Sequence, residues 1–295
     1  MRYSIENDQI KIEVDSFGAE LKSLVKKQSI FGTDTEYMWC ADEKYWKRTS
    51  PVLFPIVGSL KNKSYQFEGK TYEMSQHGFA RDMEFELVEQ DEKHLTFALQ
   101  ENEATLKIYP FAFQFMISYT LNQNSVQVGW HVENTNRKTM YFSIGGHPAF
   151  NCPMKDGEKQ TEYYIGFDGT KSVVSSVIGQ GGLITGEKKE YTLQDGSLKV
   201  TEDLFDQDAL VIEENQTGKV SLMTPDQKPY VTLTFDAPLF GVWSPTGKNA
   251  PFICIEPWFG RCDGSDFDGT LEERTWGNTL KAGGVFDAAY DIQVE

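Results

Sequence analysis

The sequence predicts an all-β protein, a large antiparallel β-sandwich forming a single domain over residues 1–295. Three observations carry this expectation. The dominant hydrophobic period is two, which puts alternate side chains on a buried and a wet face. The alternating runs are enriched in β-branched and aromatic residues. Helical signals are few, so the crossovers that a parallel sheet requires are missing. The strands are too many for one small sandwich, so large sheets are expected.

The elements follow in chain order. Ile10, Ile12 and Val14 alternate with Lys11, Glu13 and Asp15, which marks a half-buried strand. Residues 65–68 and 71–74 flank Gly69 and predict a hairpin. Residues 83–90 and 94–100 flank a short charged turn and predict another. Val126, Val128, Trp130 and Val132 repeat the alternation. Further strands are expected at 113–121, 139–144, 219–223, 230–235, 252–256 and 285–294. Residues 203–208 and 268–274 are each expected to form a helical turn or two. Residues 155–199, rich in Gly, Lys and Glu, read as a loop-rich excursion with strand-like pieces at 163–167 and 172–177.

Composition narrows the function classes. Lys and Arg number 28 and Asp and Glu 44, a formal charge of −16. That balance excludes a general phosphate-backbone binder, which needs a basic face, and a polybasic membrane-surface protein. Hydrophobic residues at 39% with 24% charged residues are globular composition. The start, MRYSIENDQIKIEV, lacks an apolar signal-peptide region, and the longest apolar stretch, residues 51–58, is too short for a bilayer. Cys40, Cys152, Cys254 and Cys262 form no CxxC pair and no zinc spacing. Reduced thiols in a cytoplasmic protein are expected. Nucleophile-elbow, P-loop, EF-hand and dinucleotide-binding patterns are absent.

Three segments stand out: Ser75-Gln76-His77-Gly78-Phe79-Ala80-Arg81-Asp82, Gly145-Gly146-His147-Pro148-Ala149-Phe150 and Cys254-Ile255-Glu256-Pro257-Trp258-Phe259-Gly260. Each sets a titratable residue beside Gly or Pro at the apparent end of a strand. His147 and Glu256 both precede proline, which holds them in extended backbone. Proline also removes a ladder donor, so both would sit where pairing stops. Gly78 and Gly146 leave room for a ligand beside each histidine.

With Pro51-Val52-Leu53-Phe54-Pro55-Ile56-Val57-Gly58 preceding them, these segments resemble the aldose 1-epimerases, the galactose mutarotase-like family, and within it the LacX-type branch. All four motifs occur in the family's order. Phe17-Gly18-Ala19-Glu20-Leu21 and Leu280-Lys281-Ala282-Gly283-Gly284 extend the resemblance to essentially the whole chain. It implies a β-supersandwich and interconversion of the α and β anomers of a free hexose, without cofactor or metal.

Opening a pyranose requires a base on the anomeric hydroxyl and an acid on the ring oxygen, worth roughly 10²–10⁴-fold each. The resemblance implies Glu256 as base, His147 as acid and His77 as a second imidazole near the ring oxygen or a hydroxyl. It also implies an aspartate on sugar hydroxyls, assigned to Asp208 with Asp206 as fallback. Many relatives have Gly-Arg where this chain has Gly58-Ser59. Arg48 and Arg81 are the candidates to supply that arginine.

Plainer readings compete. Trp258 and Trp46 could stack on a sugar, though core burial is the commoner fate of tryptophan. Trp258 is kept as a substrate-binding candidate. His94 and His131 lie in alternating strand runs and read as structural. His77, His147 and Glu256 could form a two-His-one-carboxylate metal site, but the resemblance implies a sugar there. The expected function is therefore an aldose 1-epimerase acting on a small hexose, with no nucleic-acid or membrane partner. The alternatives are a hexose 6-phosphate mutarotase, using Arg48 with Arg81, and a non-catalytic carbohydrate-binding or sensing protein.

Overall fold

A computed structural model describes residues 1–295. Two large sheets dominate. The first has nine strands, in the order Ser197–Lys199, Tyr164–Phe167, Lys219–Met223, Pro229–Phe235, Val285–Val294, Ser125–Asn134, Phe113–Asn122, His94–Gln100 and Glu86–Gln90. The second runs Leu183–Thr192, Ser172–Gly179, Leu210–Ile212, Leu239–Trp243, Phe252–Phe259, Ile144–Gly146 and Val52–Leu53, with Ala149–Asn151 pairing the same central strand. Pairing within both sheets is antiparallel throughout. The fold is all-β, as expected. No helix is long and apolar enough to cross a membrane.

The period-two pattern explains the packing. On Phe113–Asn122, Phe113, Phe115, Ile117, Tyr119 and Leu121 are buried while the residues between are half-exposed. They share one core with Val126, Val128, Trp130 and Val132 and, from the second sheet, Val242, Ile253 and Ile255. Phe54 stacks obliquely on Phe115, and Trp130 meets Phe259 edge-on, so the two sheets close face to face.

The central strand Phe252–Phe259 is buried on both faces. Ile253 and Ile255 join the main core, whereas Phe252, Cys254 and Trp258 pack in smaller clusters on the opposite face. Glu256 shares that second face by the parity of the strand.

Several expectations change. Glu256 lies inside its strand, not at its end. Pro257 is tolerated there because the neighbouring ladder is interrupted beside it. Ile144 and Gly145 pair with Phe259 and Trp258, and pairing resumes only at Ala149 with Cys254. Residues 139–144 divide into Met140–Phe142 and Ile144–Gly146, which belong to different sheets. Residues 203–208 form turns without a helix, and 268–274 contain only the 3₁₀ turn Leu271–Glu273. The one α-helix, Glu103–Ile108, opens on Asn102, whose side chain accepts from the Ala104 and Thr105 amides. The excursion at 155–199 is more regular than expected. It contains a long hairpin, Ser172–Gly179 with Leu183–Thr192. The second of these is an edge strand exposed on both faces from Thr185 to Glu190, so it shows no alternation.

Candidate active site

The interrupted ladder sets the position of His147. The residue falls in the gap opposite Glu256, with its own N–H donating to the Pro51 carbonyl at 3.1 Å. Its Nε2 lies 3.2 Å from Glu256 Oε2. The two side chains line a cavity of about 440 Å³ together with His77, Arg81, Asp208 and Trp258. His147 and Glu256 are 7% and 1% exposed, so neither charge is well solvated.

Burial acts on the pair in opposite directions. It pushes the Glu256 carboxyl well above the ordinary carboxylate range, and the nearby Asp208 charge adds to this. The Trp258 indole N–H opposes the shift but closes no hydrogen bond. Burial, followed by the charge of Arg81, lowers His147 to about 3. Burial thus favours the uncharged form of each group, a neutral imidazole beside a protonated carboxyl, which is one titratable proton for the pair.

Aromatic rings hold His147 in place. Trp46 stacks on it with centroids 4.7 Å apart and planes 30° apart, and Trp243 meets it edge-on at 5.5 Å. His77 approaches edge-on at 5.7 Å. Trp258 is 6% exposed, and a Cβ on Gly145 or Gly241 would come within 2.5 or 2.6 Å of its indole. The two glycines make room for that ring. Trp258 is thus both a cavity wall and packed among Leu53, Val57 and Leu239.

His77 sits in a tight turn at φ +67°, with Gly78 at +71°. A Cβ on Gly78 would lie 2.2 Å from the Phe54 carbonyl oxygen, so only glycine fits. The His77 N–H donates to the Gly58 carbonyl at 2.9 Å, and the Gly58 N–H donates to His77 Nδ1 at 3.1 Å. Burial first, then Arg81, holds this imidazole well below its usual pKa. A neutral ring whose Nδ1 accepts must carry its proton on Nε2. His77 is therefore a fixed hydrogen-bond donor.

The arginines differ in placement. Arg81 lines the cavity, donates from Nη2 to the Gln76 carbonyl at 2.6 Å, and has a buried Nε that closes no hydrogen bond, with Asp82 Oδ2 3.9 Å away. Burial lowers it to about 10, so it remains cationic at neutral pH. Arg48 does not line the cavity; its Nη2 pairs with Asp82 at 2.8 Å. Ser59, where the resemblance expects an arginine, lies under the tip of the long hairpin. A Cβ on Gly182 of that tip would come within 2.8 Å of Ser59 Oγ. Asp208 is exposed at the cavity with φ +67°, and its Oδ1 accepts from the Ala209 N–H at 2.9 Å. Asp206 lines a different cavity. His94 and His131 lie on the nine-stranded sheet, bonded to threonines and to Asp287 respectively.

Other wall residues gave weaker sequence signals: Gln76, Trp243, Lys248, Ile178 and Gly182. Gln76 was legible as a neighbour of His77. The others reach the cavity from a strand end (Trp243), a turn (Lys248) and the long hairpin (Ile178 and Gly182), with no motif of their own. Metal-ligating atoms of His147, Cys254 and Glu256 come within 4.8 Å of one another. Burial pushes the Cys254 thiol well above its ordinary pKa, so ligation would first have to remove that proton.

The sequence pattern of the family described as Aldose 1-epimerase matches residues 1–270. The plasmid-encoded protein LacX of Lactococcus lactis subsp. lactis is 31% identical, over 100% of this chain and 99% of its own. A galactose mutarotase related enzyme from Lactobacillus acidophilus superposes with a TM-score of 0.93 at 38% identity, covering 100% of this chain and 97% of that one. A galactose mutarotase-like protein from Lactobacillus casei ATCC 334 gives 0.91 at 31% identity, covering 100% of both.

Proposed function

Because the chain belongs to the aldose 1-epimerase family, we propose that it is a cofactor-independent isomerase that interconverts the α and β anomers of a free hexose. The observation that carries this reading is the 3.2 Å approach of His147 Nε2 to Glu256 Oε2 in the wall of a cavity. The anomeric hydroxyl and the ring oxygen are both bonded to C1, so an acid and a base this close can address both.

In the forward step Glu256 removes the proton from the anomeric hydroxyl, His147 protonates the ring oxygen, and the C1–ring-oxygen bond breaks to give the open aldehyde. Rotation about C1–C2 presents the other carbonyl face. The proton transfers then reverse and the ring closes. The pair holds one titratable proton throughout: it passes from Glu256 to His147 across the 3.2 Å gap to arm the pair, and Glu256 holds a proton again once the anomeric hydroxyl has given one up and His147 has protonated the ring oxygen. No external acid or base enters the cycle. His77 donates from Nε2 to the ring oxygen or a hydroxyl, Asp208 accepts from sugar hydroxyls, and Trp258 forms one wall.

Glu256→Gln tests the reading. The expected result is loss of about 10²–10⁴-fold in polarimetric mutarotation with the fold intact. Wild-type rates in this variant would remove Glu256 from the base role. Retained sugar binding without acceleration in the wild type would instead support a sugar-binding or sensing protein.

A second reading is mutarotation of a hexose 6-phosphate, favoured by the cationic Arg81 and Lys248 in the cavity wall. The pairing of Arg48 with Asp82 weighs against it, because that guanidinium is already neutralised. Rates on glucose, galactose and glucose 6-phosphate separate the two.

A further inference from the structure

The segment Phe17-Gly18-Ala19-Glu20-Leu21 takes no part in the acid–base chemistry, yet it packs against the turn that carries Arg81. Gly18, at φ +75°, donates its N–H to the Met83 carbonyl at 2.7 Å. A Cβ there would lie 2.9 Å from the Arg81 carbonyl oxygen, so the approach needs glycine. The Ala19 carbonyl accepts from the Tyr119 hydroxyl at 2.7 Å, which ties the segment to the nine-stranded sheet. Glu20 is thereby mounted on fixed structure.

Glu20 is buried, and its Oε1 accepts from the Thr49 and Ser50 N–H groups at 2.6 and 2.9 Å. Its Oε2 pairs with Lys22 Nζ at 3.2 Å. Thr49 and Ser50 are themselves buried and precede the strand Val52–Leu53, so no ladder supplies acceptors for their amides. One carboxylate oxygen therefore sets where this strip of chain runs. The carbonyls of the same strip hold the His147 segment. Thr49 accepts from the Ala149 N–H at 2.9 Å, and Pro51 accepts from the His147 N–H at 3.1 Å. These two donors straddle Pro148, which has none. His147 and Pro148 themselves lie outside the flanking strands Ile144–Gly146 and Ala149–Asn151. Trp46, which stacks on His147, leads into the strip from upstream.

We propose that Glu20 is a positioning residue for His147: it fixes the Thr49–Pro51 strip to which the histidine backbone is bonded, and so sets the approach of His147 to Glu256. The proposal rests on the reading of that pair as acid and base. A shift of the strip moves His147 and Trp46, while Glu256 stays on the strand Phe252–Phe259. A misplacement of about 1 Å costs up to about 10²-fold in rate. Arg81, Asp208 and Trp258 do not hang on the strip, so sugar binding is spared.

The test combines polarimetry with proton and nitrogen NMR of the imidazoles in the full chain. Glu20→Ala frees both amides, and Glu20→Asp falls one methylene short of them. Each should lower kcat by about 10- to 10²-fold and change KM by less than about threefold. Each should also shift the His147 ring signals, which sit under the Trp46 indole. Should Glu20→Ala not fold, Glu20→Asp carries the same comparison. Glu20→Gln keeps an acceptor oxygen for the amides and should bring kcat back to within about threefold of wild type, with the ring signals. Val128→Ala, in the core on the nine-stranded sheet, costs stability without touching the strip and should leave kcat and the His147 signals as in wild type. Wild-type kcat in the Ala and Asp variants, unmoved His147 signals, a Gln variant as slow as the Ala variant, or an equal loss of kcat in Val128→Ala overturns the proposal. A wild type that does not accelerate mutarotation, with His147 signals that shift in the Ala or Asp variant and return in the Gln variant, overturns the epimerase reading and leaves the positioning role standing.

Discussion

The indole of Trp46 covers one face of the His147 imidazole, with centroids 4.7 Å apart. This contact withdraws the ring from water, and loss of water is the largest cause of its low pKa, near 3. His147 therefore stays uncharged where a solvated histidine would titrate. The one-proton state of the pair survives from that low limit up to the raised limit of Glu256. We expect kcat/KM to be flat from about pH 5 to 7, with no limb near the ordinary histidine value. Trp46→Ala should lower kcat/KM about tenfold and move the acid limb upward, because water then reaches the ring. Trp46→Phe should largely restore both. A limb near 6.5 in the wild type would show a solvated His147.

Glu256 makes an opposite prediction for stability. Its folded pKa is raised above the ordinary 4.5. Stability from this group is therefore full below that value and is lost as pH rises toward the folded pKa. Glu256→Gln removes the penalty, so it should raise Tm at pH 8 by roughly 2–4 °C for each kcal/mol relieved. The gain should vanish below about pH 4. Thermal melts across pH check this, and a variant that melts lower than wild type at pH 8 would contradict it.

The Gly58 amide fixes the His77 tautomer. Nitrogen NMR of the imidazole should report neutral, Nε2-protonated His77 from about pH 5 to 8. Gly58→Ala places a Cβ 2.6 Å from Cys262 Cβ at φ +73°, so the loop must shift. That variant should lose about 1–3 kcal/mol and at least roughly tenfold in kcat. An Nδ1-protonated signal in the wild type would refute the donor assignment.

Behind the cavity, Arg274 and Asp263 pair at 2.7 Å with side chains 3% and 4% exposed. Asp263 also accepts from the Lys61 amide at 2.9 Å, which anchors the segment after Gly58 and Ser59. Arg274→Met should destabilise by about 3–5 kcal/mol, because it leaves a buried carboxylate unpaired. Adding Asp263→Leu should recover much of the loss in denaturant melts. Additive losses would refute the coupling.

The all-β class and most inner strands were legible because half-buried strands write their faces into the sequence, as Phe113, Phe115, Ile117 and Tyr119 do. The edge strand Leu183–Thr192 was hidden because water on both faces erases that signal. His77, His147 and Glu256 were nominated by Gly and Pro neighbours, and they share one cavity wall. The strand end expected at Glu256 failed because Pro257 reads as a stop when the partner ladder is unseen. Trp243 and Lys248 have no local mark, since they reach the cavity only through tertiary placement.

The break in pairing at His147 has a consequence for quality control. Its approach to Glu256 is dictated by which residues of two neighbouring segments lie opposite each other. A slip of one residue would turn Glu256 to the sandwich interior and bring Ile255 out in its place. Turnover per molecule in a refolded sample would then count the fraction of chains aligned in native register, a defect that far-ultraviolet dichroism passes over.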